Sequence, residues 1–255
     1  MLKMYRIFHC LVVAGLVWKG DAFLPSRKNC YRARRRESAD FLPLTGPSQR
    51  LSLSRPTRPT TRLYGDLNAA RRYVGDGMQA FRQGNIGESI DLFDKAEAEE
   101  PRLDPFLWQR GLSYYYADEF DKASQQFRRD VKVNPLDVEE IVWDIASQLR
   151  VNPTFPVPTA LSLPRNQSDR RPIMAVVYKL FRGEANEHDL AEAGHASGKP
   201  SDEFYALLYL GLFAEARRDN TKAENYLRQA VHTEYATSLG RRDYMTDVAR
   251  VSVFV

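Results

Sequence analysis

Residues 107–135 read LWQRGLSYYYADEFDKASQQFRRDVKVNP. Two segments of helical periodicity, roughly 104–117 and 120–133, flank a short break and stop at Asn134-Pro135, where proline cannot continue a helix. A shift of 34 residues toward the N-terminus finds the same landmarks again. Gly77 stands for Gly111, Ser89 for Ala123, Phe93 for Phe127 and Pro101 for Pro135. Around them, segments near 66–82 and 87–99 flank the breaker pair Gly84-Asn85. A fixed period of this length is the mark of stacked supersecondary units. Each unit is expected to be two antiparallel helices. The glycine of the first helix and the small residue of the second let the backbones approach, and Phe93 and Phe127 fill the space between one unit and the next.

A third unit follows near the C-terminus, where Leu207, Leu210, Gly211, Ala223, Leu227 and Ala230 fit the same frame, with Asp219-Asn220 at the turn. Gly211 lies 100 residues after Gly111, close to three periods, so about two drifted units are expected between. Residues 137–149 predict a helix with Val138, Ile141, Val142, Ile145 and Leu149 along one side, and Trp143 is expected to be packed as well. Pro153, Pro156, Pro158 and Pro164 then mark a loop of some 20 residues, long for a compact domain. Helices are expected over 172–182 and 187–197, and a closing helix over 240–252 with Tyr244, Val248 and Val251 inward. No strand is expected from residue 66 onward.

Gly111, Tyr114, Ala123, Phe127 and Pro135 resemble the tetratricopeptide repeat pattern W-x2-L-G-x2-Y…A-x3-F…P. Leu107 occupies the Trp slot and Arg110 the Leu slot. The resemblance implies an all-α, right-handed superhelix of antiparallel helix pairs over 66–255, with clearest repeats at 70–103, 104–137 and 204–237 and degenerate units plus the Pro-rich loop over 138–203. It also implies a non-catalytic role in holding a protein or peptide partner. Inner-face positions of the family fall on Val74, Met78 and Phe81, then on Trp108, Leu112 and Tyr115, then on Leu208, Leu212 and Glu215. Apolar residues dominate there, so a carboxylate clamp for a chaperone tail is not expected. Two readings follow: an open aromatic groove with Tyr114, Tyr115 and Tyr116 as anchors, or a groove filled by the chain itself, since so much uncovered aromatic surface invites aggregation.

Charge is divided along the chain. Residues 1–65 carry 13 Lys/Arg against 3 Asp/Glu, whereas the remainder carries 24 against 30. The body is therefore net acidic, and nucleic-acid binding is not expected of it; Arg170-Arg171 and Arg241-Arg242 are short exceptions. Residues 1–22 have the layout of a signal peptide: Lys3 and Arg6, an apolar run over 7–18 too short to span a bilayer even as a helix, then Ala22. Residues 23–65 are rich in Arg, Ser, Thr and Pro and poor in acids, which predicts a disordered, transit-peptide-like segment. Ala22-Phe23-Leu24-Pro25 resembles the junction of proteins sent to the complex plastids of diatoms and related algae. That resemblance implies import to a plastid, with the stroma expected; secretion is the alternative. No membrane span is expected in the mature form.

Catalytic, metal and cofactor sites are not expected. Both cysteines, Cys10 and Cys30, lie in the first quarter of the chain. His188 and His195, with Glu187 or Glu192, are the one candidate metal group, on a helix weakened by Gly194 and Gly198. The acid runs Glu97, Glu99, Glu100 and Glu139, Glu140 read as solvated surface. A hydrolase or metal-dependent enzyme on a helical scaffold is the alternative from another class.

Overall fold

The computed structural model describes residues 16–19, 22–25, 65–157, 161–163, 169 and 171–254. Most of the signal- and transit-peptide expectation lies outside them. Within it, β1 (Leu16–Lys19) and β2 (Ala22–Pro25) pair antiparallel, Val17 opposite Leu24 and Trp18 opposite Phe23.

From residue 67 on, the described chain is helical. The elements are α1 (Leu67–Arg82), α2 (Ile86–Glu99), α3 (Trp108–Tyr116), α4 (Phe120–Val133), α5 (Val138–Val151), α6 (Pro172–Phe181), α7 (Glu187–Ala196), α8 (Pro200–Ala216), α9 (Asn220–His232) and α10 (Tyr244–Phe254). A 3-10 turn, Pro101–Phe106, holds Pro105 and replaces the first part of the helix expected over 104–117. A short π segment, Tyr235–Leu239, precedes α10.

The helices pack in adjacent pairs, and the glycine frame accounts for three of them. A Cβ on Gly77 would meet the Phe93 ring at 3.2 Å, one on Gly111 the Phe127 ring at 2.8 Å, and one on Gly211 the Leu227 side chain at 2.6 Å. In each case the partner lies 16 residues on. Ser89, Ala123 and Ala223 sit 12 residues after their glycines and are buried; the Ser89 hydroxyl donates to the Gly77 carbonyl (2.8 Å). Phe93 also shares a core cluster with Leu103 and with Leu107 of the following unit, so it serves both contacts.

The turns repeat as well. Gly84, Asp118, Gly183 and Arg218 hold φ of 77°, 58°, 74° and 65°. After each, an N–H reaches back five residues: Asn85 to Ala80 (3.0 Å), Glu119 to Tyr114 (2.9 Å), Glu184 to Lys179 (2.8 Å) and Asp219 to Ala214 (2.9 Å). This is the left-handed helix stop that satisfies otherwise orphaned carbonyls. Its presence at Gly183 shows that α6 and α7 join as the other pairs do, although no glycine landmark marks them.

α10 closes the chain on its start. Arg82 Nε donates to Asp247 (2.8 Å), and the Tyr116 and Ser252 hydroxyls hydrogen-bond. Tyr244, Val248 and Val251 are buried, as expected of the inward side, and Met245 and Ala249 are buried with them.

Candidate functional site

Six of the eight inner-face candidates are buried. Phe81, Trp108, Leu112, Tyr115, Leu208 and Leu212 are at most 7% exposed. Val74 and Met78 are half-buried against the α1–α2 core. Of the two readings, the groove filled by the chain itself is the one found at these six positions. Rings of the same chain cover them: Tyr244 lies 5.6 Å from Trp108 and 5.7 Å from Phe81, and Trp143 lies 5.2 Å from Tyr115. Tyr114 and Tyr115 are buried and Tyr116 is half-buried, which removes them as ready anchors.

Inner faces of the second and third units meet in the interior. Glu215 of α8 faces Tyr115, Tyr116 and Asp118, with Arg150 of α5 at 3.5 Å. Burial pushes the Glu215 carboxyl up to about 7, against the opposing pull of Arg150. Burial likewise raises the Tyr115 hydroxyl well above its ordinary value.

A second polar cluster ties α5 to α8. Tyr209 Oη donates to Glu139 Oε1 (2.7 Å), and Arg171 Nη2 donates to Glu139 Oε2 (3.0 Å) and Asp169 (2.9 Å). The Arg171 guanidinium lies over the Tyr205 ring at 5.2 Å. Burial alone would lower Arg171, but Glu139 and Asp169 raise it above its ordinary value. Tyr205 and Tyr235 both donate to Asp243 (2.7 and 2.9 Å). Glu139, Glu140 and Glu100 are therefore corrected from surface to interior. Arg171 is spent on an internal carboxylate. The signals were non-local: Tyr209 lies 70 residues from Glu139.

Arg110, in an otherwise apolar slot, forms a third cluster. It donates to Asp94 and Asp104 (both 2.8 Å), to Glu97 (2.5 Å) and to Gln126 (3.0 Å). Acids 16 and 13 residues before a lone Arg on an apolar face were the sequence sign of it.

A cleft of about 340 Å³ lies between the start of α4 and the end of α5. Ser124, Gln125 and Arg128 line one side, Gln148, Val151 and Asn152 the other, and Thr154 and Val157 the end. Beneath it, buried Asp144 accepts from Ser124 Oγ (2.5 Å), Arg128 Nε (3.0 Å) and Gln148 Nε2 (2.9 Å). Burial raises the Asp144 carboxyl, and those three bonds oppose the rise. One buried carboxylate thus fixes three of the lining side chains, while the Arg128 side chain stays 39% exposed.

His188 and His195 are exposed on α7, and His188 lies 3.9 Å from Glu192. Among the described residues no group of three or more His, Cys, Asp or Glu is placed to hold a metal ion. No helix of the described residues is long and apolar enough to cross a membrane. No family model matches the chain, and no curated protein matches it significantly.

Proposed function

We propose that residues 66–255 form a tetratricopeptide-like, right-handed helical-repeat scaffold that makes protein–protein contacts without catalysis. It works in the stroma of a plastid, in assembly or maintenance of a protein complex. The observation that carries this reading is the recurrence of one packing unit. Three glycines meet the side chain 16 residues on, and four turns share the same left-handed stop. Units of this kind offer rigid, extended surfaces whose exposed residues are free to vary. Because the inner face is filled, the contacts fall on outer surfaces. The plastid part rests on the composition of residues 1–65 and on Ala22-Phe23-Leu24-Pro25.

Cross-linking and affinity isolation of the tagged protein from plastids is expected to recover a reproducible set of partners. Recovery of none would overturn the scaffold reading. A fluorescent fusion of residues 1–65 is expected to enter plastids and to be retained outside them by Phe23→Ala; secretion of the unaltered fusion would refute the localisation.

A further inference from the structure

Arg150 stands between two carboxyl groups in unlike surroundings. Its Nη2 lies 3.4 Å from Asp118, in the turn between α3 and α4, and its Nη1 lies 3.5 Å from Glu215, near the end of α8. The Asp118 side chain is 79% exposed and that of Glu215 only 18%. Neither separation is that of a tight ion pair, which draws in to about 2.7–2.9 Å. One guanidinium is shared by two acids. It lies over the Phe120 ring at 4.7 Å, a flat face on which it can turn without losing contact. The Arg150 main chain is tied, since its carbonyl accepts from Arg218 Nη2 (3.1 Å). The freedom to move therefore belongs to the side chain.

The groups that face Glu215 come from three other elements: Tyr115 and Tyr116 of α3, Asp118 of the following turn, and Arg150 of α5. α10 enters through Ser252, which hydrogen-bonds Tyr116, and Arg218, just beyond α8, is engaged with the Arg150 carbonyl. Burial keeps both tyrosines protonated. Arg150 is thus the cation placed to answer an ionised Glu215. While the Glu215 carboxyl carries its proton, it offers no charge, and Asp118 holds the guanidinium. Once that proton leaves to solvent, two carboxylates compete. Water weakens the attraction at exposed Asp118. The ionised Glu215, against tyrosine rings, is poorly solvated and draws the cation more strongly. Burial pushes the Glu215 carboxyl up to about 7 from its ordinary 4.5, so the protonated arrangement holds below neutrality and the ionised one above it.

We infer that Glu215, Arg150 and Asp118 form a pH-sensitive switch in which Arg150 is held by Asp118 when Glu215 is protonated and turns inward to Glu215 when it ionises, releasing Asp118 to solvent. Above neutrality the α3–α4 turn then displays an unpaired carboxylate next to Glu119, whose own partner is Lys122. Below neutrality that charge is answered by Arg150. The protonation state of the interior is in this way written on the surface.

The test is nuclear magnetic resonance of the isotope-labelled full chain between about pH 5.5 and 8.5. The Glu215 carboxyl carbon is expected to titrate near neutrality. Across the same step the cross-peak between Arg150 Hδ and Asp118 Hβ is expected to fall severalfold, and that between Arg150 Hδ and Glu215 Hγ to rise. Glu215→Gln keeps the shape and removes the charge; it is expected to abolish both changes and retain the low-pH contact throughout. Asp118→Asn, which suits the exposed left-handed turn, is expected to lower the Glu215 midpoint by up to about 0.7 pH unit, because Arg150 then has no rival. A Glu215 carboxyl that titrates while the Arg150–Asp118 cross-peak stays constant overturns the switch and leaves Glu215 a buried acid of structural role. So does a carboxyl that does not titrate in this range, or a change in the cross-peak that survives Glu215→Gln.

Discussion

Alanine at each helical glycine separates two opposing effects, and the structure fixes which one wins. In a helix interior Gly→Ala gains about 1 kcal/mol from backbone propensity. Against this stands the room for a methyl group. At Gly75 nothing lies within 4 Å, so Gly75→Ala is expected to stabilise by about 0.5–1 kcal/mol. At Gly77 the Phe93 ring stands at 3.2 Å and must give by a few tenths of an ångström, so the two effects roughly cancel. At Gly111 the Phe127 ring stands at 2.8 Å, is 1% exposed, and is stacked on Trp143 at 6.1 Å. It has nowhere to move. Overpacking costs about 1–3 kcal/mol, and the rigid ring places this site at the upper end, for a net loss of about 2 kcal/mol. Urea unfolding of the three variants, with midpoints compared at constant slope, reads these differences directly. The expected order of stability is Gly75→Ala, then Gly77→Ala, then Gly111→Ala. If Gly111→Ala stabilised as much as Gly75→Ala, the contact between α3 and α4, and with it the repeat register, would be refuted.

Phe127→Ala, the reciprocal change, is expected to cost about 3–5 kcal/mol, and an unchanged melting temperature would contradict its burial. Glu215 supplies a pH signature. Its folded pKa of about 7 exceeds the ordinary 4.5, so the stability it contributes is fully present below pH 4.5 and lost as pH rises to about 7. Glu215→Gln is thus expected to gain on the parent protein by up to about 3 kcal/mol from pH 4.5 to 7, with no further gain above; urea midpoints at pH 5 and 8 measure it. Arg218 holds φ of 65°, a conformation that costs a side-chain-bearing residue about 1–2 kcal/mol. Arg218→Gly is expected to stabilise by about 0.5–1 kcal/mol in thermal melts, and Asp118→Gly by less, because Asp tolerates that region better.

The pairing of helices was legible because it depends on local, repeated sterics. A glycine needs a bulky partner at a fixed offset, and Gly77, Gly111 and Gly211 each have one. Two of the four left-handed turns carried no glycine to mark them, Asp118 and Arg218, and could be placed only by analogy with Gly84. What covers an apolar stripe is a different matter. Periodicity places Phe81, Trp108 and Tyr115 on one face, but it is the same whether a partner or α10 packs there. Glu139 failed for a related reason. Next to Glu140 at a helix start, it resembles the acids that favour a solvated N-terminal turn. Arg171 and Tyr209, both distant in sequence, help make its burial tolerable.

The break in the repeat and the filled interior have a common cause. In an uninterrupted stack, Tyr115 and Glu215, 100 residues apart, would belong to units three periods removed from one another. Here they face each other. After α5 the described residues 152–157 are irregular, and helix pairing resumes at α6. Freed from the regular advance, α8 comes to lie against α5, where Tyr209 and Arg171 meet Glu139, and its inner side reaches Tyr115. α10 then finds Phe81 and Trp108 still uncovered and packs on them.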